Sequence, residues 1–229
     1  MKITKPTSKS YEPAQLSIEQ AGVLLTDLVH AFTREPKKLT ITGANMSHSI
    51  SFRLKGSASD TGLMIGQQAG TVRSLQMIFR CVGGKIDRPI SIIVVPVADP
   101  KSGARSTPPL TSFDAVPDAK YRHAKVTNLL VRTVSAILRK PWKLSLSDGN
   151  GCTHYEIEPH PDDYILAEAL IEKERINEEV ERMPVGVGVI FRAIGKNNGR
   201  LITACLAPPK HKVEEREDFD WAAASPKIK

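Results

Sequence analysis

Gly66 and Gly70 have the spacing in this chain that most plainly suits chemistry. Apolar Leu63, Met64 and Ile65 run into them, and a second apolar-periodic segment leaves through Val72, Leu75, Ile78 and Phe79. Helix, tight turn, helix is the pattern. The N–H groups that open a helix have no partner within it and are free to face an anion. Arg53, Lys55, Arg73, Arg80, Lys85 and Arg88 flank the turn. Singly, each is an ordinary solvated side chain. As a set they offer phosphate contacts, which fix register without reading bases. A second constellation, Pro159 to Asp163, sets His160 beside Asp162 and Asp163. Histidine with carboxylate is sound zinc chemistry. Only His211 follows it, in a polar tail, so Asp162 or Asp163 is expected to act as a helix N-cap. A metal-dependent hydrolase using His160 and Asp163 is the lesser alternative. Cys152 and His154 sit beside a turn and suggest no Cys-His catalytic set.

The elements that must hold the turn follow from periodicity. Ser17, with Gln20 three residues on, can box the start of a helix whose apolar positions are Ala21, Leu24, Leu25, Leu28, Val29 and Phe32. Pro36 ends it. Lys38 to Thr42 and Ser49 to Leu54 alternate as strands around a turn at Gly43 to Ser47. The helix pair comes next. Gly83 and Gly84 are expected to break its second member, and Pro89 to Val95 forms a buried strand.

The pattern then restarts. Leu24 to Leu39 and Leu129 to Leu144 align without a gap at an offset of 105, with identities that include Arg34/Arg139, Pro36/Pro141 and Lys38/Lys143. The strand pair recurs as Lys143 to Ser147 and Thr153 to Ile157. At an offset of 112, Ile78, Phe79, Arg80, Gly83, Arg88 and Ile90 match Ile190, Phe191, Arg192, Gly195, Arg200 and Ile202. Two blocks in the same order predict an internal duplication. The seven extra residues fall opposite the turn, where residues 163–182 lack glycine and carry Glu168, Glu172, Glu174, Glu178, Glu179 and Glu181. This side would repel phosphate and is expected to be one longer helix or an altered pair. Trp142 and Tyr155 belong to the core or an interface.

The expected fold class is α+β: two tandem α-β-β-α-α-β units, each a three-stranded sheet packed on helices. The expected boundaries are a basic lead-in over 1–16, a first domain over 17–97, a linker over 98–123, a degenerate second domain over 124–208 and a mixed-charge tail over 209–229, with Phe219 and Trp221 in it. The chain has 229 residues, with 41% apolar content and 25% charge, which excludes a disordered chain. No apolar run nears the ~18 residues of a membrane span. Met1 to Glu12 has lysines without an apolar core, so no secretory signal is expected. Three widely spaced cysteines argue for a reducing, cytoplasmic setting and against a disulfide frame or zinc site. The net charge of +7 suits a polyanionic partner, while 5% aromatic content argues against base stacking on many rings.

The element order, with Asp60, Gly62, Ile65, Gly66, Gln68, Thr71, Arg73 and Leu75 in one ungapped run, resembles a type II KH domain, closest to the small bacterial KH-domain RNA-binding proteins. In that family a G-x-x-G turn grips the backbone of about four nucleotides beside an apolar groove. The resemblance implies that Gly66, Gln67, Gln68 and Ala69 occupy the turn, with Gly70, Thr71, Arg73, Arg53, Lys55, Arg80 and Lys85 around it, and Ile65 with Ile41 or Phe52 lining the groove. The chain departs from the pattern in two ways. Ala69 stands at the second glycine, so Gly70 is expected to supply the positive φ one residue late. No basic residue lies inside the turn. The resemblance covers residues 17–96, and residues 124–207 through the repeat. It implies a non-catalytic protein binding single-stranded RNA such as mRNA, bacterial or phage-encoded, with no cofactor or metal; the second unit is expected to act as packing partner, as dimerisation surface in a homo-oligomer, or as auxiliary basic face. The alternative is a structural or assembly protein that keeps the KH scaffold without RNA binding.

Overall fold

The computed structural model describes residues 7–96, 123–149, 151–171 and 186–208. These residues form an α+β molecule with six helices and two small mixed sheets. Helix α1 (Ile18–Phe32) opens with the expected capping box: Gln20 N donates to Ser17 Oγ at 3.2 Å, and Ser17 N donates to Gln20 Oε1 at 2.8 Å. Strands β2 (Thr40–Asn45) and β3 (Ile50–Lys55), helices α2 (Ala58–Ile65) and α3 (Gly70–Lys85) and strand β4 (Ile90–Val94) follow. Then come α4 (His123–Ile137), β5 (Trp142–Gly149), β6 (Cys152–Glu158), α5 (Tyr164–Ile171), α6 (Val187–Asn197) and β7 (Leu201–Leu206). The order helix, strand, strand, helix, helix, strand is thus traversed twice.

One sheet runs β2-β3-β4, antiparallel and then parallel. The other runs β5-β6-β7 in the same senses, extended at its outer edge by β1 (Thr7–Tyr11), antiparallel to β5. Alternation sends Ile50, Phe52, Leu54, Ile90 and Ile92 of the first sheet to one buried face. Helices α1, α3, α4 and α6 pack on one another, α3 packs on β4, and α6 on β7, so a single apolar cluster joins both halves. Trp142 and Tyr155 are fully enclosed in it, as expected.

Matched positions do matched work. Buried Asp60 accepts from the N–H groups of Arg34 and Glu35 at 2.8 and 3.2 Å; buried Asp163 accepts from those of Arg139 and Lys140, both at 2.7 Å. Each carboxylate ties the chain leaving one helix to the start of the next. Arg88 reaches Asn45 Oδ1 and the Met46 carbonyl at the β2–β3 turn; Arg200 reaches Asp148 and Thr153 at the β5–β6 turn. These arginines therefore hold hairpins together.

Three expectations change. The lead-in contains β1, whose Thr7-Ser8-Lys9-Ser10 stretch joins the sheet through its backbone and carries no apolar alternation. Gly83 and Gly84 do not break α3, which runs on to Lys85. A Cβ on Gly83 would lie 2.6 Å from the Arg88 carbonyl oxygen, and one on Gly195 would lie 2.4 Å from that of Arg200, so both positions need glycine for close packing. Asp163 is not a helix N-cap. His160 caps the short turn Pro161–Asp163, accepting from Asp162 N at 3.2 Å, while Asp163 faces inward. The linker core, the Glu172 to Glu181 stretch, His211, Phe219 and Trp221 lie outside the described residues.

Candidate functional site

Ser57 Oγ caps α2 by accepting from Asp60 N at 3.2 Å, and this short helix ends on Ile65, which stays 37% exposed. Gly66 reverses the chain at φ 72°. A side chain there would be strained twice over: its Cβ would fall 2.1 Å from Thr71 Oγ1, in a backbone region that favours glycine. Gln67 to Ala69 form one 3-10 turn, with Ala69 N donating to the Gly66 carbonyl at 3.2 Å and Gly70 N donating to that of Gln67. Helix α3 then starts with no side-chain cap.

Gly70 does not supply the positive φ; it is helical, at φ −60°. Gln68 and Ala69 take that burden themselves, at φ 47° and 63°. For residues with a Cβ this costs roughly 1–2 kcal/mol each. The chain keeps a left-handed turn without the glycine that would make it cheap.

The structure gathers some expected residues and disperses others. Ile65, Gly66, Gln67, Gln68 and Ala69 form the turn, where both glutamine side chains are exposed. Gly70 and Thr71 are buried beneath it, so Thr71 shapes the turn and is not a contact surface. Arg73 and Arg80, seven residues apart, lie exposed on one side of α3. Between them, Gln76 donates to the Ile92 carbonyl of β4 at 3.0 Å. Turn, stripe and β4 edge are thereby neighbours.

Arg53 and Lys55 are exposed on the sheet face opposite the one that buries Phe52 and Leu54. That is the face turned away from the helices, so these two do not flank the turn. Arg53 stands between Thr42 and Ile93 there. Lys85 is also removed from the set. Its Nζ donates to the carbonyls of Ala14, Ser135 and Leu138 at 2.7, 3.0 and 2.9 Å, closing the end of α4, and burial pulls its pKa down. Ile41 and Phe52 line a groove against α1, with Val23, and Ile65 is not part of it.

The second half braces the turn from behind. Ser74 Oγ, one helical turn into α3, donates to the Gly70 carbonyl at 2.7 Å and accepts from Gly186 N, just before α6, at 2.9 Å. Periodicity could not show this pairing, because the two residues are 112 positions apart.

Two other clusters bear on chemistry. Asp163, the carboxylate of the metal alternative, is engaged by two backbone N–H groups, and among the described residues no three His, Cys, Asp or Glu side chains gather as a metal site. On the solvent face of the second sheet, His154 Nδ1 lies 2.7 Å from Thr203 Oγ1 and its Nε2 3.4 Å from Cys205 Sγ. The sequence sets His154 beside Cys152; in the β6–β7 ladder it stands opposite Thr203, and its ring reaches Cys205, the partner of Glu156. Among the described residues no helix is long and apolar enough to cross a membrane. No known family model matches the chain. No curated protein matches it either.

Proposed function

We propose that this protein binds single-stranded RNA without catalysis, as a tandem of two type II KH-like units of which the second is degenerate. The observation that carries this is the turn from Gly66 to Ala69. It is exposed, joins two helices and ends at an uncapped helix start, and it holds Gln68 and Ala69 in a costly left-handed backbone. Strain of this kind concentrates where a backbone must present itself to a ligand. The repeated element order and the parallel β3–β4 pair agree with the type II arrangement. Arg73 and Arg80 supply phosphate contacts along α3. With no cation inside the turn, affinity per site is low, and binding is weakly selective among sequences.

A titration with single-stranded RNA tests this. Binding is expected to weaken with salt, with a slope near −0.7 per phosphate contacted. Gly66→Asp should abolish it. Gln67→Glu with Gln68→Glu, at exposed positions where folding is not at stake, should weaken it several-fold. Equal, salt-insensitive binding by all three would reject the proposal.

The second reading, an assembly protein on the same scaffold, is favoured by two observations: Lys85 is consumed within the fold, and the turn is uncharged. It predicts a defined oligomer indifferent to nuclease.

A further inference from the structure

The halves meet through reciprocal contacts. Lys85, at the C-terminal end of α3, donates to the Leu138 carbonyl at 2.9 Å. Asn197, its matched residue at the end of α6, donates at 3.1 Å to the carbonyl of Thr33, which is matched to Leu138. Each contact sets the next two residues at the foot of the other half's helix. Arg139 and Lys140 thus stand at the foot of α3, and Arg34 and Glu35 at the foot of α6. Asp163 takes up the backbone N–H groups of Arg139 and Lys140, whose side chains are left exposed.

The two feet differ in charge. Arg80 and Arg139 have matched cations in Arg192 and Arg34. Lys140 does not: its match is Glu35, which pairs with Lys38 at 2.8 Å. The side that holds the turn therefore carries a cation where the other carries an acid. Burial pushes the Cys81 thiol up, and the charges of Arg139 and Arg80 both oppose it. Two like charges acting on one thiol are close enough to repel, a cost that a bound anion relieves. Among the described residues none of Arg73, Arg80, Arg139 and Lys140 forms an ion pair, whereas Lys38, Arg132, Lys143 and Arg200 each have a carboxylate. The carboxylates of the adjoining turn are occupied: Asp163 by N–H groups, and Asp162 by His160 at 3.4 Å.

Resting on the reading of the turn as an RNA site, we propose that the bound strand runs on along α3 and crosses to the second half, where Arg139 and Lys140 hold its next phosphates. The turn itself holds about four nucleotides. Helix α3 carries the path onward over roughly 22 Å, at 1.5 Å per residue. Arg73 and Arg80 lie along it, and Arg139 and Lys140 meet the strand at the far end. Cations of this kind fix the backbone without reading a base, so the track adds affinity and no sequence preference. Charge that the turn lacks is supplied from the other half. Lys85 serves the track as a positioning residue, holding the end of α4 in place.

Titration of the full chain with two homopolymeric single-stranded RNAs tests this, one of about four nucleotides, which fits the turn alone, and one of about twelve, which spans the track. In the wild type the longer RNA should show the steeper salt dependence. Arg139→Gln with Lys140→Gln should weaken the longer RNA about tenfold and flatten its salt slope by about 1.4, at 0.7 for each of two phosphates. The shorter RNA should bind this variant as it binds the wild type. Both substitutions keep the backbone N–H groups that Asp163 uses, so the fold is not at stake. Arg34→Gln, at the matched position, should change neither RNA. Equal salt slopes for the two RNAs, or a double variant that keeps the wild-type slope, would overturn the track and leave the reading of the turn intact. Loss of the shorter RNA in the double variant would place Arg139 and Lys140 at the turn's own site and overturn the track as well. Binding of neither RNA by the wild type would overturn both.

Discussion

Ala69 is the residue on which the candidate site turns. At φ 63° it does what glycine does elsewhere, beside Gln68 at 47°. Replacing it with glycine removes the left-handed penalty but adds chain entropy to the unfolded state. Ala69→Gly should therefore stabilise the protein by about 0.5–1 kcal/mol in urea unfolding; a loss of stability would show that the turn relaxes without it. The need for glycine at position 66 was legible from its place after an apolar run. The conformation of Ala69 was not, because nothing local marks an alanine that tertiary packing forces into the left-handed region. Asp148 shows a second effect at this scale. Burial pushes its carboxyl up, but the Thr153 hydroxyl and the Arg200 guanidinium outweigh that and hold it below its ordinary value. A carboxyl lowered by folding stabilises above its unfolded pKa and loses that contribution as pH falls through the folded one. The gap in thermal midpoint between wild type and Asp148→Asn should be full at pH 6 and shrink below about pH 4. A gap constant across that range would show that Arg200 does not hold the hairpin through this charge.

At the scale of elements, the fold rests on a few bonds used twice. Asp60 and Asp163 each bind two N–H groups where one helix gives way to the next strand. Asp163→Ala removes a buried acceptor from two backbone N–H groups and should cost about 1–3 kcal/mol in chemical denaturation, with Asp60→Ala costing a similar amount. A neutral Asp163→Ala would return that residue to the pool of functional candidates. The helices and hairpins of both halves were legible because their apolar residues keep helical or alternating period, as in Leu24 to Phe32 and Lys143 to Ser147. β1 was not, since an edge strand held by backbone bonds needs no apolar alternation and its one large apolar anchor is Tyr11. The α3 terminus was misread for a related reason. Gly83 is there to let β4 and its lead-in approach, and sequence shows the glycine without showing the neighbour. Lys85 looked like a free cation because its three carbonyl partners come from residues 50 to 71 positions away.

The whole molecule reads as two halves that have taken different tasks. One keeps the exposed turn; the other receives β1, and the start of its last helix braces Ser74 behind that turn. Asp27 and Arg132 occupy matched positions and carry opposite charges, so the halves suit each other better than either suits a copy of itself. The net charge of +7 supplies long-range attraction for a polyanion, but Arg53 and Lys55 spend theirs on the sheet's far face. Only Arg73 and Arg80 of the expected basic set remain on the turn's own helix face. Amide chemical shifts followed while single-stranded RNA is added locate the binding surface directly. RNA binding through the turn predicts the largest changes at Gly66 to Thr71, Arg73 and Arg80, with the second sheet silent. Changes confined to the second sheet, or none at saturating RNA, would contradict it.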